Sequence, residues 1–282
     1  MILEARQLDF SYPDGTPALR GIDLKIKRGG FTVLLGPNGS GKTTLFKVLT
    51  GLVRPVRGEV CLAGSPVGKM AREDLYRRIG FVFQDPNDQL FAPTVLEDVS
   101  FGPANLGLTP GQVAERAEAA LGRVGMWQQK DKPVHCLSYG QKKRAAIAGV
   151  LAMEPGIIIL DEPTAGLDPA GVREIMTLLA ELHHRHGITV LMATHDVDLV
   201  PLYASDIFVL NEGRIVASGS PQEVFGQRAT IRRAGLRLPR ITHLWEILQS
   251  KDHLPLEGFP LTIGEARRQL LKVMEGEGPD ER

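Results

Sequence analysis

Hydrophobic and polar positions change period several times along the chain, and each change marks an element. Near the N-terminus the runs are short and β-like. Residues Asp9 to Tyr12 lead into the turn signal Pro13-Asp14-Gly15, and Ile22-Asp23-Leu24-Lys25-Ile26 alternates as a half-buried strand does. Phe31-Thr32-Val33-Leu34-Leu35 is almost wholly apolar and predicts a buried strand, after which Leu45-Phe46-Lys47-Val48-Leu49 carries a helical pattern. Val60 to Ala63 and Ile79 to Phe83 are again strand-like. From about residue 87 the character changes. Pro110 to Val124 is alanine-rich, mixed with charge and helical in pattern, so about 87–150 reads as a mostly helical insertion.

Strand and helix then alternate. Ile157-Ile158-Ile159-Leu160 is a continuous apolar run bounded by Pro155-Gly156 and an acidic pair, which suits a central parallel strand covered on both faces. Val172, Ile175, Met176, Leu179 and Leu182 fall at helical spacing, and Ile188 to Ala193 is the next buried strand. Ile207 to Leu210 and Arg214 to Ala217, joined by Asn211-Glu212-Gly213, read as a hairpin. From about Ser220 the pattern loosens, broken by Pro239, Pro255 and Pro260, until Ile263 to Met274 forms a last amphipathic helix. The tail from Glu275 to Arg282 reads as frayed.

One junction in this pattern carries chemistry. Between the apolar run at 31–35 and the following helix lies Gly36-Pro37-Asn38-Gly39-Ser40-Gly41-Lys42-Thr43-Thr44. Strand, glycine-rich loop and helix together make a phosphate site. Glycines let successive backbone N–H groups turn inward as an anion nest, and the helix N-terminus adds partial positive charge. Lys42 can reach the β- and γ-phosphates, and the Thr43 hydroxyl can hold Mg²⁺. The strand 157–160 ends in Asp161-Glu162. Asp161 is placed to orient Mg²⁺, and Glu162 to polarise a water attacking the γ-phosphate. Leu137-Ser138-Tyr139-Gly140-Gln141 precedes a helical run in which Ser138 is an N-cap. That helix end would form a second anion site, which points to a nucleotide held by another copy.

Composition narrows the classes. The 282 residues are 43% apolar and 23% charged, as in ordinary globular proteins. Basic and acidic residues balance at 33 each, which argues against a broad nucleic-acid-binding face. Cys61 and Cys136 have neither disulfide-framework nor zinc spacing, which fits a reducing cytosol. Met1 to Arg6 does not read as a signal peptide. No apolar run reaches the ~18–20 residues that span a bilayer, and the longest region, Val150 to Leu160, is interrupted by Glu154-Pro155-Gly156. His183, His184 and His186 suit a helix C-terminus, and Lys142, Lys143 and Arg144 read as a solvated helix face.

The order of these motifs resembles the nucleotide-binding subunit of ATP-binding-cassette transporters over about residues 1–225. Gly36 to Thr43 matches the Walker A loop, Gln84 the Q-loop and Leu137 to Gln141 the signature. Asp161-Glu162 matches the Walker B end, Ala165-Gly166-Leu167-Asp168 the D-loop and His195 the switch histidine. Tyr12 sits where the family stacks an aromatic ring on adenine. The resemblance implies an α/β fold: a P-loop NTPase core with an antiparallel β subdomain, a helical insertion, and a small C-terminal extension at 226–282. It implies Glu162, His195 and Gln84 as catalytic, and Thr43, Gln84 and Asp161 around Mg²⁺. It also implies that Ser138, Gly140, Gln141 and Asp168 reach the ATP of a second copy or paralogue in a head-to-tail dimer. One departure from the family is Tyr139, where the usual signature has the first of two glycines.

Further segments resemble energy-coupling-factor importers: Val82 to Phe91, Thr94 to Val99, Phe101-Gly102-Pro103 and Gly149 to Met153. Leu238 to Leu244 resembles their cobalt or nickel branch. In that class two ATPase subunits at the cytoplasmic face of the membrane drive a transmembrane coupling protein and a separate substrate-binding membrane protein. The expected activity is ATP hydrolysis powering cobalt or nickel uptake, with a vitamin or other importer of the same class as the alternative. A soluble cassette acting on DNA or ribosomes would need two cassettes in one chain or a long coiled-coil insertion. A nucleotide-sensing module without turnover would lack Glu162 or His195.

Overall fold

The computed structural model describes residues 1–274, so the tail expected to fray lies outside the described residues. Ten strands and eleven α-helices build two sheets and their covering layers. The strands are β1 (Leu3–Ser11), β2 (Pro17–Ile26), β3 (Phe31–Leu35), β4 (Arg57–Leu62), β5 (Ser65–Pro66), β6 (Ile79–Val82), β7 (Ile157–Asp161), β8 (Thr189–Thr194), β9 (Asp206–Asn211) and β10 (Arg214–Gly219). The helices are α1 (Lys42–Leu49), α2 (Arg72–Tyr76), α3 (Val95–Asn105), α4 (Pro110–Arg123), α5 (Tyr139–Leu151), α6 (Pro169–His186), α7 (Val200–Tyr203), α8 (Pro221–Gly226), α9 (Arg228–Arg233), α10 (Arg240–Ser250) and α11 (Ile263–Met274).

The larger sheet has the order β10-β9-β3-β8-β7-β6, parallel except for the hairpin edge β10. Strands β3, β7 and β8 are buried at every position because both faces are covered. Val33, Leu35, Ile158, Leu160, Val190 and Met192 turn to one face and pack with Ile147, Leu151, Leu179 and Phe225 from the helices. Their neighbours Leu34, Ile157, Ile159, Leu191 and Ala193 turn to the other. There they meet Leu45, Phe46 and Leu49 of α1 and Leu3, Leu8 and Leu24 of the antiparallel sheet β2-β1-β4-β5. Period-2 alternation is thus present in these strands, hidden in the sequence because both sets are apolar.

The expected helical insertion is α3, α4 and α5, which pack on one another while α5 also lies on β6. Each begins with a reciprocal cap: Thr94 with Glu97, Thr109 with Gln112, and Ser138 with Gln141. Helix α6 runs from the Asp168 cap to Gly187, whose φ of 64° ends it in the left-handed region. His183, His184 and His186 occupy its last turn, and His183 packs edge-on to Phe31 at 5.8 Å. Burial pushes the His183 imidazole below its usual range.

The loosened pattern after Ser220 hides three helices, α8 to α10. Prolines misled the sequence reading there. Pro239, expected to break the pattern, instead precedes α10 and starts it, just as Pro221 occupies the first position of α8 behind the Ser220–Glu223 cap. Val224, Phe225, Ile231, Ala234, Leu236, Leu238 and Leu261 join the main core. A smaller cluster around Trp245, Leu256 and Ala266 holds α10 to α11. Among the described residues no helix is long and apolar enough to cross a membrane.

Phe225 tests how far the segment after the hairpin contributes to the core. It is fully buried, so Phe225→Ala should cost about 3–5 kcal/mol of unfolding free energy. A urea titration showing under about 1 kcal/mol would mean that α8 is a satellite of the fold.

Candidate active site

The loop from Gly36 to Gly41 is wedged between β2 and the β9–β10 turn. A Cβ on Gly36 would lie 2.4 Å from the Leu210 carbonyl oxygen, and one on Gly41 2.7 Å from that of Ala18. Gly41 also has a φ of 105°, so contact and conformation both require glycine there. The amide of Gly213 donates to the Ser40 carbonyl at 3.0 Å, tying the hairpin turn to the loop. The loop thus curls over the N-terminus of α1, the arrangement that favours an anion.

An open cleft of about 520 Å³ at this loop is lined by Tyr12, Asn38, Gly39, Gly41, Lys42, Thr43, Thr44, Gln84 and Glu162 among others. Lys42 is 6% exposed; its Nζ donates to the carbonyls of Gly36 at 2.9 Å and Pro37 at 3.1 Å and lies 3.3 Å from Glu162 Oε1. The Thr43 hydroxyl donates to Asp161 Oδ2 at 2.5 Å. Tyr12 shares a 2.6 Å hydrogen bond with the Thr44 hydroxyl and meets Phe10 edge-on, leaving the ring 45% exposed.

Glu162 is the centre of the site. It follows β7 with a φ of 44°, in the left-handed region that non-glycine residues avoid. Its amide donates to the Ala193 carbonyl of β8 at 3.2 Å. Its buried carboxylate lies between Lys42 and His195, whose Nδ1 is 3.1 Å from Oε2. Asp161 has one carboxylate oxygen, Oδ1, that is buried without a partner among the described residues, and burial raises its proton affinity. A buried, half-satisfied carboxylate beside a threonine hydroxyl fits a divalent cation.

Ser138, Gly140, Gln141 and Asp168 do not line this cleft. Ser138 caps α5 and Asp168 caps α6, accepting from the Gly171 amide at 2.7 Å. The Tyr139 ring packs on Gly166, where a Cβ would stand 3.0 Å from Cε1.

The structure corrects the reading of Lys142, Lys143 and Arg144 as one solvated face. Lys142 and Arg144 are half-buried, but Lys143 is fully buried. Its Nζ donates to the carbonyls of Gln84 at 2.6 Å and Glu162 at 3.2 Å. Burial lowers its pKa to about 8, against the pull of Asp85, Asp161 and Glu162. The signal was in the spacing: Lys143 precedes Ala146, Ile147 and Val150 by helical intervals, on the buried face of α5. Sequence reading also missed two anchors of the segment after Gln84. Gln89 accepts from the Phe83 amide at 3.1 Å and donates to the Ala146 carbonyl at 2.9 Å. The Asp98 carboxylate accepts from the amides of Phe91 and Ala92, both at 2.9 Å.

Comparison with known proteins identifies the family of the chain. Residues 19–165 match the family model described as ABC transporter. The chain is 52% identical over 277 residues to the energy-coupling factor transporter ATP-binding protein EcfA of Methanocaldococcus jannaschii, covering 97% of this chain and 98% of that one. It is 51% identical over 271 residues to EcfA3 of Clostridium perfringens, covering 95% of each. Among solved structures, CbiO1 of Clostridium perfringens, part of the ABC transporter complex CbiONQ, superposes with a TM-score of 0.74 at 52% identity. That match covers 87% of this chain and 99% of that one. The dimeric post-hydrolysis cassette MJ0796, bound to ADP and Pi, superposes with a TM-score of 0.70 at 30% identity, covering 78% and 99%.

Lys42 supplies the test of the cleft. A charge-assisted contact is worth about 1.5–3 kcal/mol, so Lys42→Ala should weaken ATP binding by about tenfold or more. Unchanged affinity by titration calorimetry would remove Lys42 from the phosphate site.

Proposed function

The chain belongs to the family of ABC transporter ATPases, and on that footing we propose that it powers an energy-coupling factor importer of cobalt or nickel ions. One observation carries the catalytic part: the Glu162 carboxylate, buried at the mouth of the phosphate loop, faces Lys42 on one side and His195 on the other. A polyphosphate seated in the loop offers the Lys42 ammonium a second anionic partner. The carboxylate is then free to accept a hydrogen bond from a water and draw its proton as that water attacks the γ-phosphate. His195, half out of the protein, holds Glu162 from the solvent side. Thr43, Asp161 and Gln84 would hold Mg²⁺, which supplies charge neutralisation at the β- and γ-phosphates. Tyr12 offers its exposed ring to the adenine.

The remaining motif residues take their role from a second copy or paralogue. Ser138, Gly140, Gln141 and Asp168 sit apart from the cleft, at helix N-termini. In a head-to-tail dimer they reach the partner's nucleotide, and ATP binding favours closure because the closed pair makes contacts that the open pair lacks. The dimeric cassette bound to ADP and Pi supports this reading.

The importer class rests on similarity over nearly the whole chain to proteins named for that role. The metal rests on the segment from Leu238 to Leu244, where α10 begins. Residues 1–225 are then the nucleotide-binding domain and 226–282 an extension. A transmembrane coupling protein and a separate substrate-binding membrane protein complete the complex at the cytoplasmic face.

Glu162→Gln should lower ATP turnover by about 10²–10⁴-fold and leave a dimer that persists in ATP on size-exclusion chromatography. Wild-type turnover in that variant would remove Glu162 as the base. A tagged pull-down from solubilised membranes, paired with uptake of labelled Co²⁺ or Ni²⁺, tests the rest. Recovery of a coupling protein with ATP-dependent metal uptake supports the proposal. A coupling protein without metal uptake moves the substrate to a vitamin, and recovery of no membrane protein overturns the importer role.

A further inference from the structure

Lys143 is a fully buried cation, and among the described residues no carboxylate is its direct partner. An apolar side chain would fill the same place on α5 without the cost of burying a charge. Its ammonium is spent on two main-chain oxygens, and both belong to segments of the proposed site. One is the carbonyl of Gln84, two residues beyond β6. The other is the carbonyl of Glu162, the residue held at a φ of 44°. Left-handed backbone at a non-glycine residue persists only where its surroundings over-determine it. Three bonds do so here: the Glu162 amide donates to β8, and the Glu162 carbonyl accepts from the Ala165 amide within the turn and from Lys143, the one tie that comes from another element. The Tyr139 ring, 5.5 Å from Nζ and packed on Gly166, lies over the ammonium from the adjoining turn of α5.

We propose that Lys143 is a positioning residue: by bridging the Gln84 and Glu162 carbonyls it holds the Glu162 backbone in its strained turn and so sets the direction of the carboxylate. The inference rests on Glu162 acting as the base. It adds that the helix after the signature fixes the base within its own chain, and that the Gln84 segment and Glu162 move as one unit. Lys143 is fully buried and does not line the cleft. Its loss therefore lowers the rate of the chemical step and leaves nucleotide binding in place.

The test compares Lys143→Met, which keeps the length and loses the donor, with Lys143→Gln, which keeps a shorter donor. Steady-state ATPase kinetics and thermal melting are measured on the full chain, with Glu162→Gln as the control. Lys143→Met should lose about 10- to 100-fold in kcat, with KM for ATP within about twofold of wild type. Lys143→Gln should fall between Lys143→Met and wild type. A wild-type kcat in Lys143→Met, a change confined to KM, or a Lys143→Gln variant no better than Lys143→Met overturns the proposal. If Lys143→Met does not fold, Lys143→Gln decides alone. A reduced kcat at unchanged KM and melting temperature supports the proposal, and a wild-type kcat overturns it. The control separates the two ideas. Slow turnover in Glu162→Gln beside normal turnover in Lys143→Met sinks only the positioning role, whereas normal turnover in Glu162→Gln sinks the base assignment and the positioning role with it.

Discussion

A buried carboxylate beside a buried ammonium is the constraint around which the site is organised. Glu162 and Lys42 are both nearly inaccessible and lie 3.3 Å apart. Such a pair contributes little net stability, since desolvation offsets most of the attraction, yet removing either partner strands the other. The charges therefore need neighbours that cannot move away. Lys42 has the carbonyls of Gly36 and Pro37, and Glu162 has His195. Each of these contacts depends on backbone geometry more than on side-chain packing. That is why the loop is rich in glycine, and why the turn at Glu162 departs from ordinary dihedrals.

The sheet makes such precision possible. Strands β3, β7 and β8 lie side by side in parallel, so their carboxyl ends open at one edge. From that edge come the phosphate loop after β3, Asp161-Glu162 after β7 and His195 after β8. Burial on both faces removes the freedom of these strands to slip, since a shift of register would drive packed side chains into occupied space. The segment that leads into α10 adds a tie. Asp198, three residues beyond His195, accepts from Arg237 Nη2 and from the Arg240 amide, both at 2.7 Å. These groups are half-exposed and worth little to stability. Their effect is directional, because they anchor the chain leaving His195 to the start of α10.

Much of this was legible in the sequence, for identifiable reasons. The phosphate loop, the apolar run ending in Asp161-Glu162 and the hairpin at 207–217 are local patterns in which neighbours decide the structure. The last helix, Ile263–Met274, was equally plain from its period. What escaped depends on distant partners. Lys143 sits in a run of three basic residues; its helical spacing to Ala146, Ile147 and Val150 marks the buried face, but its partners, the Gln84 and Glu162 carbonyls, lie far along the chain. Helices α8 and α9 are six residues each, too short for a period to show, and their place in the core is set by the strands they cover.

Tyr139 shows how a departure from a familiar motif can be absorbed by the fold. A tyrosine at the first helical residue of α5 needs room that a glycine would not. The room lies at Gly166, which has a φ of 76° and no Cβ to meet the ring. The signature and the turn before α6 thus fit together as bulk against absence of bulk, within one chain. Ser138 and Gln141 form their reciprocal cap beside the tyrosine. The ring stays partly exposed and lies 5.5 Å from the Lys143 ammonium, one helical turn along. A change at position 166 that added a side chain would push on Tyr139 and, through it, on the cover of the buried ammonium. The Ser138–Gln141 cap and the Lys143 bridge to Glu162 are therefore one helical turn apart on α5.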